Sequence, residues 1–184
     1  MSPEDLSRAL VEPGRASIPY RDRYSADRPL VLECFRPRGH SPDKPVVIVH
    51  HGMSRNGAEH CEAWVPAAER HGLLIVAITF PKEAWPDAVT YNNGHVLAED
   101  GSLRPRECWS QAIPGRVFAL LREAGVTRRD KAYLWGHPPA GNSSIGCWRH
   151  NRTAFSRRSE PRIPAGIRCR RSTFITPTGS AGSG

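Results

Sequence analysis

The sequence predicts an α/β protein over residues 1–137, a mostly parallel sheet flanked by helices, followed by a disordered or poorly packed C-terminal tail. Three observations lead there. Short apolar runs alternate with helix-like stretches up to residue 137, as in sheets covered by helices. Beyond it the texture changes abruptly: residues 138–184 contain no Leu, Val, Lys or Asp, and Arg, Ser, Gly, Pro, Thr and Ala dominate. Their few large apolar side chains follow neither a two-residue nor a 3.6-residue period, and such composition does not offset the entropy of ordering the chain. The charge divides at the same place. The net charge is +8, and residues 138–184 hold eight arginines against one acid, Glu160.

The elements follow in order. Pro29 to Phe35 (PLVLECF) and Val46 to His50 (VVIVH) carry the β-branched and aromatic residues that suit strands. From Ala58 to His71, Cys61, Trp64, Val65 and Ala68 recur at three- and four-residue spacing, one buried face of a helix in which Pro66 marks a kink or an early end. Gly72 stops that helix, and Leu73 to Phe80 (LLIVAITF) is apolar enough for a strand covered on both faces. Pro81 to Arg106 is a long polar, turn-rich loop. Helical spacing resumes through Cys108, Ala112, Val117, Leu120 and Leu121, with Pro114 and Gly115 fitting only its start or a break. Lys131 to Trp135 (KAYLW) is the next strand and runs straight into Gly136-His137.

Composition narrows the function. With 39% hydrophobic and 24% charged residues the chain has the make-up of a soluble domain. No apolar run approaches the roughly 18 residues of a membrane span, and the N-terminus lacks the cationic and apolar blocks of a signal peptide, so no membrane partner and a cytoplasmic location are expected. Cys34, Cys61, Cys108, Cys147 and Cys169 are odd in number and scattered, which suggests neither a disulfide framework nor a metal site. The basic excess resembles a nucleic-acid footprint. Its confinement to the tail argues against that for the domain, although a disordered basic arm binding nucleic acid or another polyanion remains the alternative reading of residues 138–184.

Serine hydrolysis on such a sheet needs a serine on a sharp strand-to-helix turn, Gly-x-Ser-x-Gly, and two backbone N–H groups for the oxyanion. One donor comes from a loop after an earlier strand. Here VVIVHHGMSRNG follows a strand, so Gly52 and Met53, through the Met53 N–H, are the oxyanion-side candidates. His50 and His51 suit an oxyanion-loop or packing role better than metal binding or base catalysis, and His60-Cys61 lacks a completing ligand pair. After KAYLW the chain reads Gly136-His137-Pro138-Pro139-Ala140-Gly141. Pro138 removes the hydroxyl and fixes φ where the elbow needs a strained turn. Pro139 removes the second oxyanion N–H.

On these pieces residues 45–137 resemble bacterial α/β-hydrolases of the poly(3-hydroxybutyrate) depolymerase-like or feruloyl-esterase-like group. The resemblance rests on VVIVHHGMSRNG, on AERHGLLIVAITFP, on the loop with Tyr91-Asn92, and on YLWGH leading to where that family has GHSAGG. It implies an incomplete α/β-hydrolase sheet, serine esterase chemistry without a cofactor, and a small-molecule ester substrate in the intact ancestor. Gly136 and His137 take the elbow positions, and Tyr91 and Asn92 either line a substrate pocket or belong to a surface turn built on Asn93-Gly94. The family's triad acid and base lie downstream of the serine, where nothing in this chain matches them.

One cause explains the coincidence of breaks. A T added ahead of codon 138 turns CCN into TCC, serine, and the shifted codons permit Ala-Gly-Gly-Gln-Phe-Val-His next, so that GHSAGGQFVH is a permitted reading. The expectation is a truncated, inactive hydrolase whose frame changes at codon 138. Residues 1–28 are an N-terminal extension, 29–137 the N-terminal part of the hydrolase domain, and 138–184 an out-of-frame basic tail.

Overall fold

The computed structural model describes residues 1–52, 54–91 and 93–136, together with the backbone of 144–149. Its elements are helix α1 (Pro3–Ala9), strands β1 (Gly14–Arg21), β2 (Pro29–Arg36) and β3 (Val46–His50), helix α2 (Gly57–His71), strand β4 (Leu74–Thr79), helix α3 (Ile113–Glu123), and strands β5 (Lys131–Gly136) and β6 (Ser144–Arg149). They build one sheet in the order β1-β2-β4-β3-β5-β6. The central pairs β3–β4 and β3–β5 are parallel, while β1–β2, β2–β4 and β5–β6 are antiparallel.

Alternation along the central strands sends side chains to two layers. Val46 and Ile48 of β3 and Leu74, Val76 and Ile78 of β4 face one side, where α1 and α3 cover them with Leu6, Ile113, Val117, Phe118 and Leu121. Val47, Val49, Ile75 and Ala77 face the other, under Cys61 and Ala68 of α2. Residues 74–78 are all fully buried, as a strand packed on both faces requires. The second layer thins toward β5, where Tyr133 and Trp135 are half-buried against Trp64.

Two boundaries differ from expectation. Residues 1–28, expected as an extension, supply α1 and the edge strand β1 of the same sheet. In α1, Ser2 and Asp5 form a reciprocal capping box ahead of the buried Leu6. The strand GRASIPYR hides its character behind Arg15, Arg21 and Pro19, residues that an edge strand tolerates. The third helix begins at Ile113, later than Cys108, because Pro114 has no N–H for an upstream carbonyl and is accommodated only in the first turn. Two short 3₁₀ turns, Arg106–Cys108 and Ser110–Ala112, occupy the expected first part. Pro66, by contrast, does not shorten α2, which runs to His71 and ends on Gly72 at φ 70°. A Cβ there would also stand 2.9 Å from the Gly39 carbonyl oxygen. The expected tail lies outside the described residues apart from the backbone of β6, which pairs with β5 from Lys131↔Arg149 to Gly136↔Ser144.

A buried ion pair locks the edge to the core. Asp22, at the end of β1, is fully buried and receives Nε and Nη2 of Arg116 from α3 at 2.5 and 2.8 Å. The Tyr24 amide also donates to it, and Arg116 Nη1 donates to the Glu107 carbonyl. Removing either member strands a charge in a mostly dry site. Asp22→Ala is expected to lower unfolding free energy by about 3–5 kcal/mol. Urea titration measures this, and a loss below about 1 kcal/mol would show that Arg116 rehydrates instead.

Candidate functional site

Crossovers leave β3 toward β4 on one side and, after β4, reach β5 on the other. The carboxyl end of β3 is therefore the point where strand order reverses, the usual position of ligand crevices in α/β sheets. His50, the last residue of β3, stands in register with Ile78 of β4 and Gly136 of β5. The His-Gly loop and the carboxyl end of β5 are thus neighbours.

His51 organises the place. The Phe80 amide, just past β4, donates to His51 Nε2 at 2.9 Å, so Nε2 keeps its lone pair and the neutral ring carries its proton on Nδ1. Nδ1–H then points to Tyr91 Oη at 2.7 Å and to the Gly52 carbonyl at 2.9 Å. Tyr91 returns its own hydroxyl hydrogen to the His51 carbonyl. His50 Nδ1 lies 3.2 Å from the same carbonyl and 3.1 Å from Tyr91 Oη. Phe80 and Tyr91 pack against both rings, and Trp85 packs behind Phe80, with Phe80–Trp85 and Phe80–Tyr91 centroids each 5.1 Å apart.

Burial sets the charge states. It holds the His50 imidazole below its ordinary range and pushes His51 down to about 4, a drop that the Gly52 carbonyl offsets only in part. It also raises the Tyr91 phenol. The His51 ring, bonded at both nitrogens, is a support; neither imidazole is bonded to a serine or cysteine in the hydrogen bonds of the described residues. Tyr91, expected either in a substrate pocket or in a turn, is 5% exposed and braces the His-Gly loop. The adjacent Asn93-Gly94 forms a turn with Gly94 at φ 78°. Gly52 is buried and accepts the Arg55 amide at 3.2 Å. Met53, Asn92, His137 and Pro138 lie outside the described residues, so the proposed oxyanion donor and the nucleophile position are known here only through their neighbours. Among the described residues no group of three or more His, Cys, Asp or Glu gathers to hold a metal, and no helix is long and apolar enough to cross a membrane.

Sequence reasoning missed Arg55. It is 9% exposed, sits at φ 59°, lays its guanidinium on the Tyr91 ring 3.6 Å from the centroid, and donates Nη1 to the Phe80 carbonyl at 3.3 Å. An arginine between Ser54 and Asn56 in a loop carries no sequence signal of burial. Gly57, two residues on, lets α2 start against β4: a Cβ there would fall 2.1 Å from Thr79 Oγ1.

No protein-family model and no curated protein matches the chain. Solved structures do. The chain is similar to LpqC, a poly(3-hydroxybutyrate) depolymerase from Bordetella parapertussis, at 44% identity and a TM-score of 0.71, over 74% of this chain and 47% of that one. It is also similar to poly(aspartic acid) hydrolase-1 from Sphingomonas sp. KT-1, at 28% identity and a TM-score of 0.63, over 68% of this chain and 47% of that one. The chain spans about half the length of these proteins.

The His51 environment predicts a pH dependence. Its folded-state pKa, about 4, lies below the ordinary 6.5, so the unfolded chain binds the proton more tightly. The neutral ring's contribution is whole above about pH 6.5 and is lost as pH falls toward 4, by about 3 kcal/mol in all. His51→Gln keeps an acceptor for the Phe80 amide and does not titrate. Its unfolding free energy is expected to vary less with pH between 6.5 and 4, and a parent-like slope would place the titrating group elsewhere.

Proposed function

We propose that the chain is the N-terminal part of an α/β-hydrolase, that it descends from a serine esterase, and that it has lost the hydrolytic step. The observation that carries this is Pro138 at the nucleophile position, directly after Gly136-His137 at the end of β5. In the intact ancestor, the serine hydroxyl attacks the ester carbonyl carbon, a histidine takes its proton, and two backbone amides hold the oxyanion. The histidine then protonates the departing alcohol, and water cleaves the acyl-enzyme by the same route. This chain keeps the loop that would supply the first amide, braced by His51 and Tyr91. It has no hydroxyl at position 138 and no N–H at Pro139, and no residue downstream matches the family's acid or base. Loss of one oxyanion donor alone costs roughly 10²–10³ in rate.

The substrate class that this lineage supports is a small ester, taken up without a cofactor. The resemblance to a polyester depolymerase over the strands and the His-Gly loop supports it. A change of reading frame at codon 138 accounts for the proline pair, the missing triad partners and the arginine excess together.

Two measurements test the reading. The purified chain is expected to hydrolyse p-nitrophenyl butyrate no faster than buffer, and Pro138→Ser alone to restore nothing, because Pro139 and the missing acid and base remain. A chain expressed with one base added ahead of codon 138 is expected to gain turnover by several orders of magnitude. Turnover by the unaltered chain would overturn the loss of function. A stop codon soon after codon 138 in the added-base frame would overturn the frame change.

A further inference from the structure

We propose that the contact between His95 and Arg104 is a pH-sensitive latch, which fastens the hairpin of residues 96–104 against Trp85 and releases it when the imidazole takes up a proton. The latch concerns the loop that follows Tyr91 and does not depend on whether the chain hydrolyses esters.

The hairpin is self-contained. The Arg104 amide donates to the Val96 carbonyl at 2.8 Å and the Ala98 amide to the Ser102 carbonyl at 2.9 Å, while Leu97 and Leu103 pair across it. The Ser110 amide on the Gly94 carbonyl and Trp109 Nε1 on the Arg104 carbonyl, both at 2.8 Å, close its base, and neither bond involves a titratable group. Its own apolar side chains add little to its docking, because Leu97 and Leu103 are 46% and 73% exposed. His95 is the part that is packed down. It is 8% exposed, its ring stands edge-on to the fully buried Trp85 at 6.4 Å, and its backbone holds φ 52°, a left-handed conformation that a side chain adopts at a cost.

The chemistry of the contact makes it conditional. Arg104 Nη1 lies 3.2 Å from His95 Nε2. A guanidinium only donates, so Nε2 accepts with its lone pair and the neutral ring carries its proton on Nδ1. Among the described residues Nδ1 has no hydrogen-bond partner, so no second bond holds the ring. The imidazolium has a proton on both nitrogens and meets Arg104 with like charge alone. Burial and the charges of Arg104 and Arg28 hold the imidazole below its ordinary range, and Asp27 and Asp87 offset this only in part. The unfolded ring therefore binds the proton more tightly than the folded one. The latch is whole above the ordinary imidazole pKa and is lost as pH falls through the lower folded value. It sits one ring behind the strand ends, since Trp85 packs on Phe80, whose amide fixes His51.

Amide exchange of the full chain, followed by ¹⁵N spectra from pH 7 to pH 4.5 and taken against the intrinsic rate at each pH, tests this, with the His95 ring titrated in the same samples. Protection of the Arg104 and Ala98 amides is expected to fall about ten-fold or more with the midpoint of the His95 titration, while Val76 in β4 keeps its protection. His95→Asn tolerates the left-handed backbone, accepts from Arg104 and does not titrate, so its hairpin should stay protected throughout. Arg104→Met should move the His95 pKa up toward its ordinary value and leave the hairpin unprotected at pH 7. His51→Gln should leave the transition in place. Protection that survives the His95 titration, a parallel fall at Val76, a fall that persists in His95→Asn or disappears in His51→Gln, or a His95 titration and hairpin protection unmoved in Arg104→Met would each overturn the latch.

Discussion

The hydrogen bond from the Phe80 amide to His51 Nε2 is the constraint on which the functional end of this molecule depends. Two parallel strands end side by side, and past their last ladder bond each backbone must leave in its own direction with its polar groups satisfied. One imidazole settles both exits. Its Nε2 takes the first amide beyond β4, and its Nδ1 lies against the carbonyl of Gly52 just beyond β3. Fixing the acceptor fixes the tautomer, and the tautomer fixes what Tyr91 can do: its oxygen accepts from Nδ1, so its hydrogen goes to the His51 carbonyl. The loop from Pro81 is thereby tied down at Tyr91, although its sequence is polar and rich in turns.

That network also decides the electrostatics. Every group in it is neutral at pH 7, because burial disfavours charge on both histidines and on the tyrosine. Arg55 is the charged group beside it, set on the Tyr91 ring and the Phe80 carbonyl. At the opposite edge of the same layer the rule of paired burial is obeyed: Asp22 and Arg116 meet in two short bonds, and Tyr24 and Glu107 occupy further positions around them. One cation is compensated within the fold. The other, Arg55, rests on the Phe80 carbonyl and the Tyr91 ring, with the charge of Asp87 acting on it from further away.

The sheet was legible wherever one residue type dominated a run. VVIVH and LLIVAITF could only be buried strands, and the spacing of Cys61 and Ala68 could only be a helix face. GRASIPYR was not legible, because an edge strand needs a pattern on one face alone and its arginines satisfy solvent on the other. Pro114 announced a helix start and was compatible with a break, and only packing of Ile113, Val117 and Leu121 into the core selects between them. For the site, the motif pointed to the loop after β3, whose Gly52 is buried and accepts the Arg55 amide. It left open which side chains brace that loop, since the contacts of Tyr91 with His51 and of Arg55 with Phe80 join residues 40 and 25 positions apart that no local pattern links.

The topology after β5 adds an argument that composition could not. A nucleophile elbow turns a strand into a helix, and the next parallel strand follows only after a crossover of a dozen residues or more. Here β5 ends at Gly136 and β6 begins at Ser144, so residues 137–143 are all that connect them, and β6 runs antiparallel to its neighbour. The antiparallel return is the direction that so short a connection allows, and it takes the position beside β5 that a crossover strand would need. The charge, the composition and the motif change in the same interval of the sequence, between Gly136 and Ser144, in which the parallel order of the central strands gives way to an antiparallel pair.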